Sequence, residues 1–404
     1  MLLCRACPPR VFRLQGVRVV LLALALCFVA SLSGLADAHA SFNDASKQEN
    51  TVKGEKLAPE LENTLTALIA AVPAGASLPA EADLAKLARF MMSPATNPDE
   101  IRVAKREHGE GAMLRQTFRS SFARLVRYCF DPQLPTEVLY PMVLRRGNWL
   151  PDSQLAQENV KLWERLDTQG MLVLRGAEYE EITPDAFSGC YYNYTLRRLV
   201  VLLHVDGKPV LFSVARQDGP SSVGRKAAIV GNDSNWNYVY TKVVGSNLKL
   251  VGWAETYMYD SALVSLAYPS GEGSGQAFFK WLKAGWSNMN MVKSTHIRTG
   301  GERFLTNMRQ VLDAQNLPEP AAIYERHQAL TNMDDDALRA AFEPHAAALA
   351  NSARGDSVLS GKDFQAVLKD GAYARQLGRA DLISELMKLY MKERLGIRDP
   401  ALKP

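Results

Sequence analysis

The spacing of apolar residues changes character several times along the 404-residue chain. An apolar run from Val19 to Val29 follows Arg5, Arg10, Arg13 and Arg18 and leads into small residues ending at Ala38-His39-Ala40. That is the pattern of an export signal, residues 1–40, with cleavage after Ala40. An uncleaved inner-membrane signal anchor is the alternative, because the apolar stretch reaches almost to Leu35 behind a basic flank. Residues 41–56 are polar and read as a flexible leader. Helical spacing then runs through Leu61, Leu65 and Leu68, resumes at Leu84, Leu87 and Phe90, and continues in a helix from Met113 to Phe130 whose face is Leu114, Phe118, Phe122, Leu125 and Cys129. With a further helix at about Leu155 to Leu166, residues 57–168 read as an N-terminal helical region.

From residue 169 the period shortens. β-branched and aromatic runs separated by glycine-containing turns define a central α+β domain over residues 169–316. Asp206-Gly207 suits a two-residue type I′ turn, which pairs Val205 with Lys208 and His204 with Pro209. Both faces of this hairpin are apolar, with Leu199, Val201 and Leu203 on one and Val200 and Leu202 on the other. Such a sheet has to be covered on both sides. Further strands are expected at Trp236 to Val243 and, with a bend, at Trp253 to Tyr268. After Gly271 to Gly275 the aromatic stretch Phe278 to Met291 reads as a helix. Thr299 and Glu302 read as a capping box opening another, whose face is Phe304, Met308, Val311 and Leu312. Leu317-Pro318-Glu319-Pro320 reads as a linker, and residues 317–404 as a C-terminal helical region.

Composition excludes little: 47% hydrophobic and 22% charged residues describe an ordinary folded chain. Subtracting the four export-segment arginines and Asp37 from 47 basic and 43 acidic residues leaves a net charge of +1. No electrostatic case remains for nucleic acid or an anionic membrane as main partner, and membrane contact is expected only through an uncleaved signal. Cys4, Cys7 and Cys27 fall inside the signal, leaving Cys129 and Cys190 as one disulfide or two thiols.

Catalytic signals are sparse. The histidines lack metal-site spacing, so neither a metal nor another cofactor is expected. No Gly-x-Ser-x-Gly elbow is present, and the Gly271–Gly275 loop lacks the ending of a phosphate-binding loop. Asp334, Asp335 and Asp336 lack the spacing of a calcium loop and read as a helix start. Aromatic placement says more. Nine of 14 tyrosines lie between residues 179 and 268. Tyrosine lines cavities well, offering an apolar ring and one hydrogen bond. The expected ligand contacts are Trp236, Tyr238, Tyr240, Tyr257 and Tyr259, with His204 and Asp260 as polar anchors.

The order of elements, helices then an antiparallel sheet then helices across it, resembles helix-grip ligand-binding folds in that order alone. The resemblance implies a curved sheet enclosing an apolar pocket. The sequence therefore reads as an exported, periplasmic or extracellular, non-enzymatic α+β protein that binds an apolar or amphipathic ligand or an envelope protein. Two alternatives are an exported hydrolase using Cys190 or a serine with His204, and an envelope scaffold acting through the C-terminal helices.

Overall fold

A computed structural model describes residues 54–107, 109–185, 189–248, 252–353 and 356–397. The export segment and the leader up to residue 53 lie outside them. Near the start, β1 (Glu55–Lys56) pairs in parallel with β2 (Ile101–Arg102), and between them run α1 (Pro59–Ala70) and α2 (Glu81–Met92). Next come β3 (Glu110–Phe118), α3 (Phe122–Phe130), β4 (Leu144–Trp149), the single turn α4 (Gln154–Gln157), β5 (Leu172–Ile182) and β6 (Gly189–Tyr191). The hairpin β7 (Asn193–Val205) and β8 (Lys208–Gln217) follows, then β9 (Arg225–Ile229), β10 (Tyr238–Val244), β11 (Ser246–Leu248) and β12 (Gly252–Ala254). A second hairpin, β13 (Thr256–Ser270) and β14 (Gly273–Trp286), leads into α5 (Ser294–Leu312). Five more helices follow among the described residues: α6 (Pro320–Thr331), α7 (Asp335–Ser352), α8 (Lys362–Leu368), α9 (Ala372–Gln376) and α10 (Arg379–Leu395).

Seven strands form one antiparallel, curled half-barrel sheet in the order β3-β14-β13-β8-β7-β5-β4. The protein is thus α+β, with helices flanking a curved sheet. Alternation sorts each strand onto two faces. Leu199, Val201 and Leu203 of β7, Phe212 of β8 and Phe279 of β14 pack with Leu65 and Leu68 of α1 and Leu84 and Leu87 of α2. Val200 and Leu202 of β7, Leu211 of β8, Phe278 of β14 and Leu114 of β3 share the other core with Met308, Val311 and Leu312 of α5. Each fully buried side chain of this size contributes about 1.5–3 kcal/mol. This double covering is what the two-sided apolar hairpin requires.

The β7–β8 hairpin has the expected register, Val205 opposite Lys208 and His204 opposite Pro209. Asp206 and Gly207 both take positive φ, 52° and 74°, as a type I′ turn demands. The bend expected in the later strand is a register shift between Met258 and Asp260.

Four expectations are corrected. Residues 110–118 form strand β3 beside β14, and the helix begins only at Phe122. Leu114 and Phe118 are four apart, a spacing that serves a strand face as well as a helix face. Residues 278–286 belong to strand β14. Its two faces are both largely apolar, which hides the alternation. The helix expected to open at Thr299 opens at Ser294, with His296 Nδ1 accepting from the Lys293 amide. The stretch 155–166 is α4 plus a 3-10 turn, Leu162–Glu164, separated by Asn159 at φ 47°.

A second, three-stranded sheet, ordered β10-β9-β6, packs with the C-terminal helices. Trp236, Tyr238, Phe342, Tyr373 and Met387 lie in one continuous core with the α5 face of the main sheet. Among the described residues no helix is long and apolar enough to cross a membrane.

Candidate functional site

Strand alternation brings charge onto the α5 face of the main sheet. In β7 that face reads Tyr194, Leu196, Arg198, Val200, Leu202, so an arginine interrupts an apolar row. Arg198 pairs with Glu178 of β5, lies 3.8 Å from Glu180, and donates to Ser213 Oγ of β8 at 3.0 Å. The Tyr194 hydroxyl donates to Glu180 at 2.9 Å. Three strands from Arg198, Lys280 Nζ of β14 donates to Ser261 Oγ of β13 at 2.5 Å. Lys280 joins none of the ion pairs among the described residues, although Glu180 and Asp260 lie within electrostatic reach. Against this band the Cys129 thiol of α3 meets the Tyr140 hydroxyl at 3.2 Å, and the Tyr140 ring stacks on Phe304 of α5 at 4.7 Å.

Burial sets the electrostatics. It pushes the Cys129 thiol up to about 12 and raises the Glu178 carboxyl, a shift that Arg198 opposes and Glu180 reinforces. Desolvation lowers the Lys280 ammonium, and the negative charge of Glu180 only partly restores it.

The band divides the face into two apolar ends. At one end Val200, Leu202, Leu211 and Phe278 lie in the same buried core as Met308, Val311 and Leu312 of α5. At the other, Tyr194, Leu196, Ala215 and Met258 form a separate cluster, against which Leu263, Leu282, Ala284 and Tyr192 are only partly buried. The polar band thus lies between a buried apolar end and one whose outer side chains are only partly buried.

The expected contact residues divide among three places. Trp236, Tyr238 and Tyr240 are 1% exposed and belong to the core beneath the C-terminal helices. There the Tyr238 hydroxyl donates to Asp233 at 2.7 Å and the Tyr373 hydroxyl donates to the Tyr238 carbonyl at 2.9 Å. Tyr257 and Tyr259 stand side by side at the start of β13, ring centres 5.9 Å apart, with Lys283 over Tyr259 at 5.4 Å. Asp260 beside them is half-buried, and that burial raises its carboxyl. His204 lies at the far end of the sheet next to the Asp206–Gly207 turn, its buried Nδ1 without a hydrogen-bond partner among the described residues.

Cys129 lies against the Tyr140 hydroxyl and Cys190 near Thr256, and no disulfide joins the two. Cys190 sits in the three-stranded sheet near Thr256, at the β6–β7 junction, whereas His204 ends β7, roughly 35 Å further along an extended strand. No thiol–imidazole pair forms. Sequence reasoning missed Glu178, Glu180, Arg198 and Lys280. The available signal was a charged residue at an inward position of an apolar strand, Arg198 before Leu199-Val200-Val201 and Lys280 between Phe279 and Trp281.

A second polar region is a cleft of about 160 Å³ where β4 and β5, the three-stranded sheet and the α9–α10 segment meet. Its floor is an arginine pair. Arg145 bonds Glu181 and lies 3.2 Å from Asp381, with its guanidinium 4.1 Å above the Tyr240 ring. Arg146 lies 3.1 Å from Glu181 and 3.5 Å from Asp381. Burial opposes both charges, but the two carboxylates outweigh it and hold the pair more basic than usual. Burial likewise opposes the Glu181 charge, and the two arginines bring its carboxyl below the ordinary range. Among the described residues no group of three His, Cys, Asp or Glu side chains is placed to hold a metal ion.

Fold and site together define an α+β protein whose curled antiparallel sheet carries a polar band on one face. No family model and no curated protein matches the chain. Among solved structures it is similar to protein CV1439 from Chromobacterium violaceum, at 10% identity and a TM-score of 0.25, over 50% of this chain and 96% of that one. It is also similar to Ara h 8.0201, at 12% identity and a TM-score of 0.19, over 50% of this chain and 97% of that one. Likeness at this level carries no argument about what this chain binds.

Proposed function

We propose that the protein binds one small amphipathic molecule on the α5 face of its main sheet. The carrying observation is the polar band, in which Lys280 joins no ion pair among the described residues, next to an apolar cluster where Leu263 and Leu282 are only partly buried. The apolar part of the ligand lies against Leu196, Met258, Leu263 and Leu282, and its polar group meets Lys280, Ser261 and Arg198. This moves the binding surface away from the Trp236–Tyr240 aromatics and onto the charged band. The N-terminal pattern supports export, and so binding outside the cytoplasm. Protein recovered from its host is expected to begin at Ser41, and an N-terminus that retains residues 1–40 would contradict cleavage.

Titration with 8-anilinonaphthalene-1-sulfonate, an apolar ring system bearing one anionic group, tests the site. Saturable fluorescence enhancement at one site per chain, displaced by laurate, is expected. Leu263→Trp and Leu282→Trp should each abolish it while melting within a few degrees of wild type. Unchanged binding in both variants would remove the α5 face as the site.

A further inference from the structure

The cleft between the sheets and the C-terminal helices is not needed for that binding, and its charges do not balance. Four cations line it, Arg145, Arg146, Arg225 and Lys242, against two carboxylates, Glu181 and Asp381. The arginine pair already consumes both carboxylates. Arg225 of β9 and Lys242 of β10 stand on the facing strands, exposed, and neither has a carboxylate within ion-pair distance among the described residues. Arg225 interacts with the Tyr191 hydroxyl. In the cleft wall Arg146 Nε is spent on Asp381 at 3.5 Å, while Arg145 Nε and the Tyr240 hydroxyl are buried without a hydrogen-bond partner among the described residues.

From this geometry we infer that the cleft binds a phosphoryl dianion, either free phosphate or the terminal group of a small phosphomonoester. Two excess positive charges match one group carrying two negative charges, and guanidinium forks match its tetrahedral oxygens. A dicarboxylate would have to spread the same charge over two separated groups. Volume limits the occupant, since about 160 Å³ is well below the roughly 300–1,000 Å³ of sites for drug-sized ligands. Tyr191 and Tyr240 form apolar walls around the arginine floor, and the amide of Gln376, which donates to the Tyr240 carbonyl at 2.8 Å, fixes the rim.

The test is calorimetric titration of the mature chain with inorganic phosphate and, separately, with glycerol 3-phosphate, using chloride at matched ionic strength as control. One saturable site for at least one of them is expected. Tighter binding of the ester identifies a phosphomonoester, and equal or tighter binding of phosphate identifies the free ion. Arg225→Ala and Lys242→Ala each remove a charge-assisted bond at an exposed position, so about tenfold weaker binding is expected for each and about 100-fold for both, with unchanged melting. Absence of saturable heat for both compounds up to roughly 10 mM, an affinity weaker than about 3 kcal/mol, would overturn the inference. So would an Arg225→Ala/Lys242→Ala double variant that binds as wild type does.

Discussion

Lys280 is an expensive residue to keep. Lysine is rarely buried without a counter-charge, yet here the half-buried Lys280 ammonium has, among the described residues, one serine hydroxyl as hydrogen-bond partner. Its pKa is lowered by desolvation, so the folded state disfavours the charged form. The sign follows from linkage: a depressed pKa contributes stability above the unfolded value and loses it as pH falls. Lys280→Met is therefore expected to stabilise the protein at pH 7 by about 1 kcal/mol or more, with the gain shrinking as pH rises toward 10. Denaturant melts of both proteins at pH 7 and 10 check this, and the same substitution should weaken laurate binding.

His345 behaves in the same direction at lower pH. Burial, reinforced by Lys392, depresses its imidazole to about 3. The neutral ring therefore supports the fold above pH 6.5, and that support is lost as pH falls from 6.5 towards 3. Because the ring keeps part of its surface open, the loss should be on the order of 1–2 kcal/mol. His345→Gln should flatten this part of the acid melting profile.

At the scale of elements, the contact between α5 and the sheet has one critical point. A Cβ on Gly301 would meet the Leu114 methyl groups at 2.8 Å and the Phe278 ring at 3.2 Å, whereas a Cβ on neighbouring Gly300 would meet nothing within 4 Å. Gly301→Val should push the helix off the sheet and cost about 1–3 kcal/mol. Gly300→Ala should stabilise by about 0.5–1 kcal/mol through helix propensity alone. Opposite signs in thermal melts of these two variants would verify that α5 closes the face. The elements were legible where independent signals agreed, as at Asp206-Gly207, where turn chemistry and the position of Pro209 specify one register. They were not legible where one pattern served two periods. Leu114 and Phe118 fit helix and strand equally, and in β14 the apolar covering on both faces erased the alternation.

Over the whole molecule, the C-terminal helices are part of the core and not an appendage. Tyr373 of α9 bonds the Tyr238 backbone, and Lys226 of β9 pairs with Asp363 of α8 at 2.7 Å. Deletion of residues 321–404 would uncover Tyr238, Tyr240 and Leu312, so the shortened chain is expected to aggregate or bind apolar dyes non-stoichiometrically. A shortened chain that melts cooperatively would contradict a shared core. The α+β class and the two-sided covering of the sheet could be read from sequence. The site could not, because aromatic density marked the buried tyrosines while the band depends on which strands lie side by side. Glu178 and Arg198 are 20 positions apart and Lys280 lies a further 82 along, and only the order β14-β13-β8-β7-β5 places them on one face.

The central claim, one amphipathic ligand on that face, is tested most directly by native mass spectrometry of the mature protein after incubation with laurate and removal of the excess. The account predicts a single added laurate per chain that organic extraction removes, and no adduct in Leu263→Trp. An uncomplexed wild-type mass, or several adducts retained equally by the variant, would contradict it.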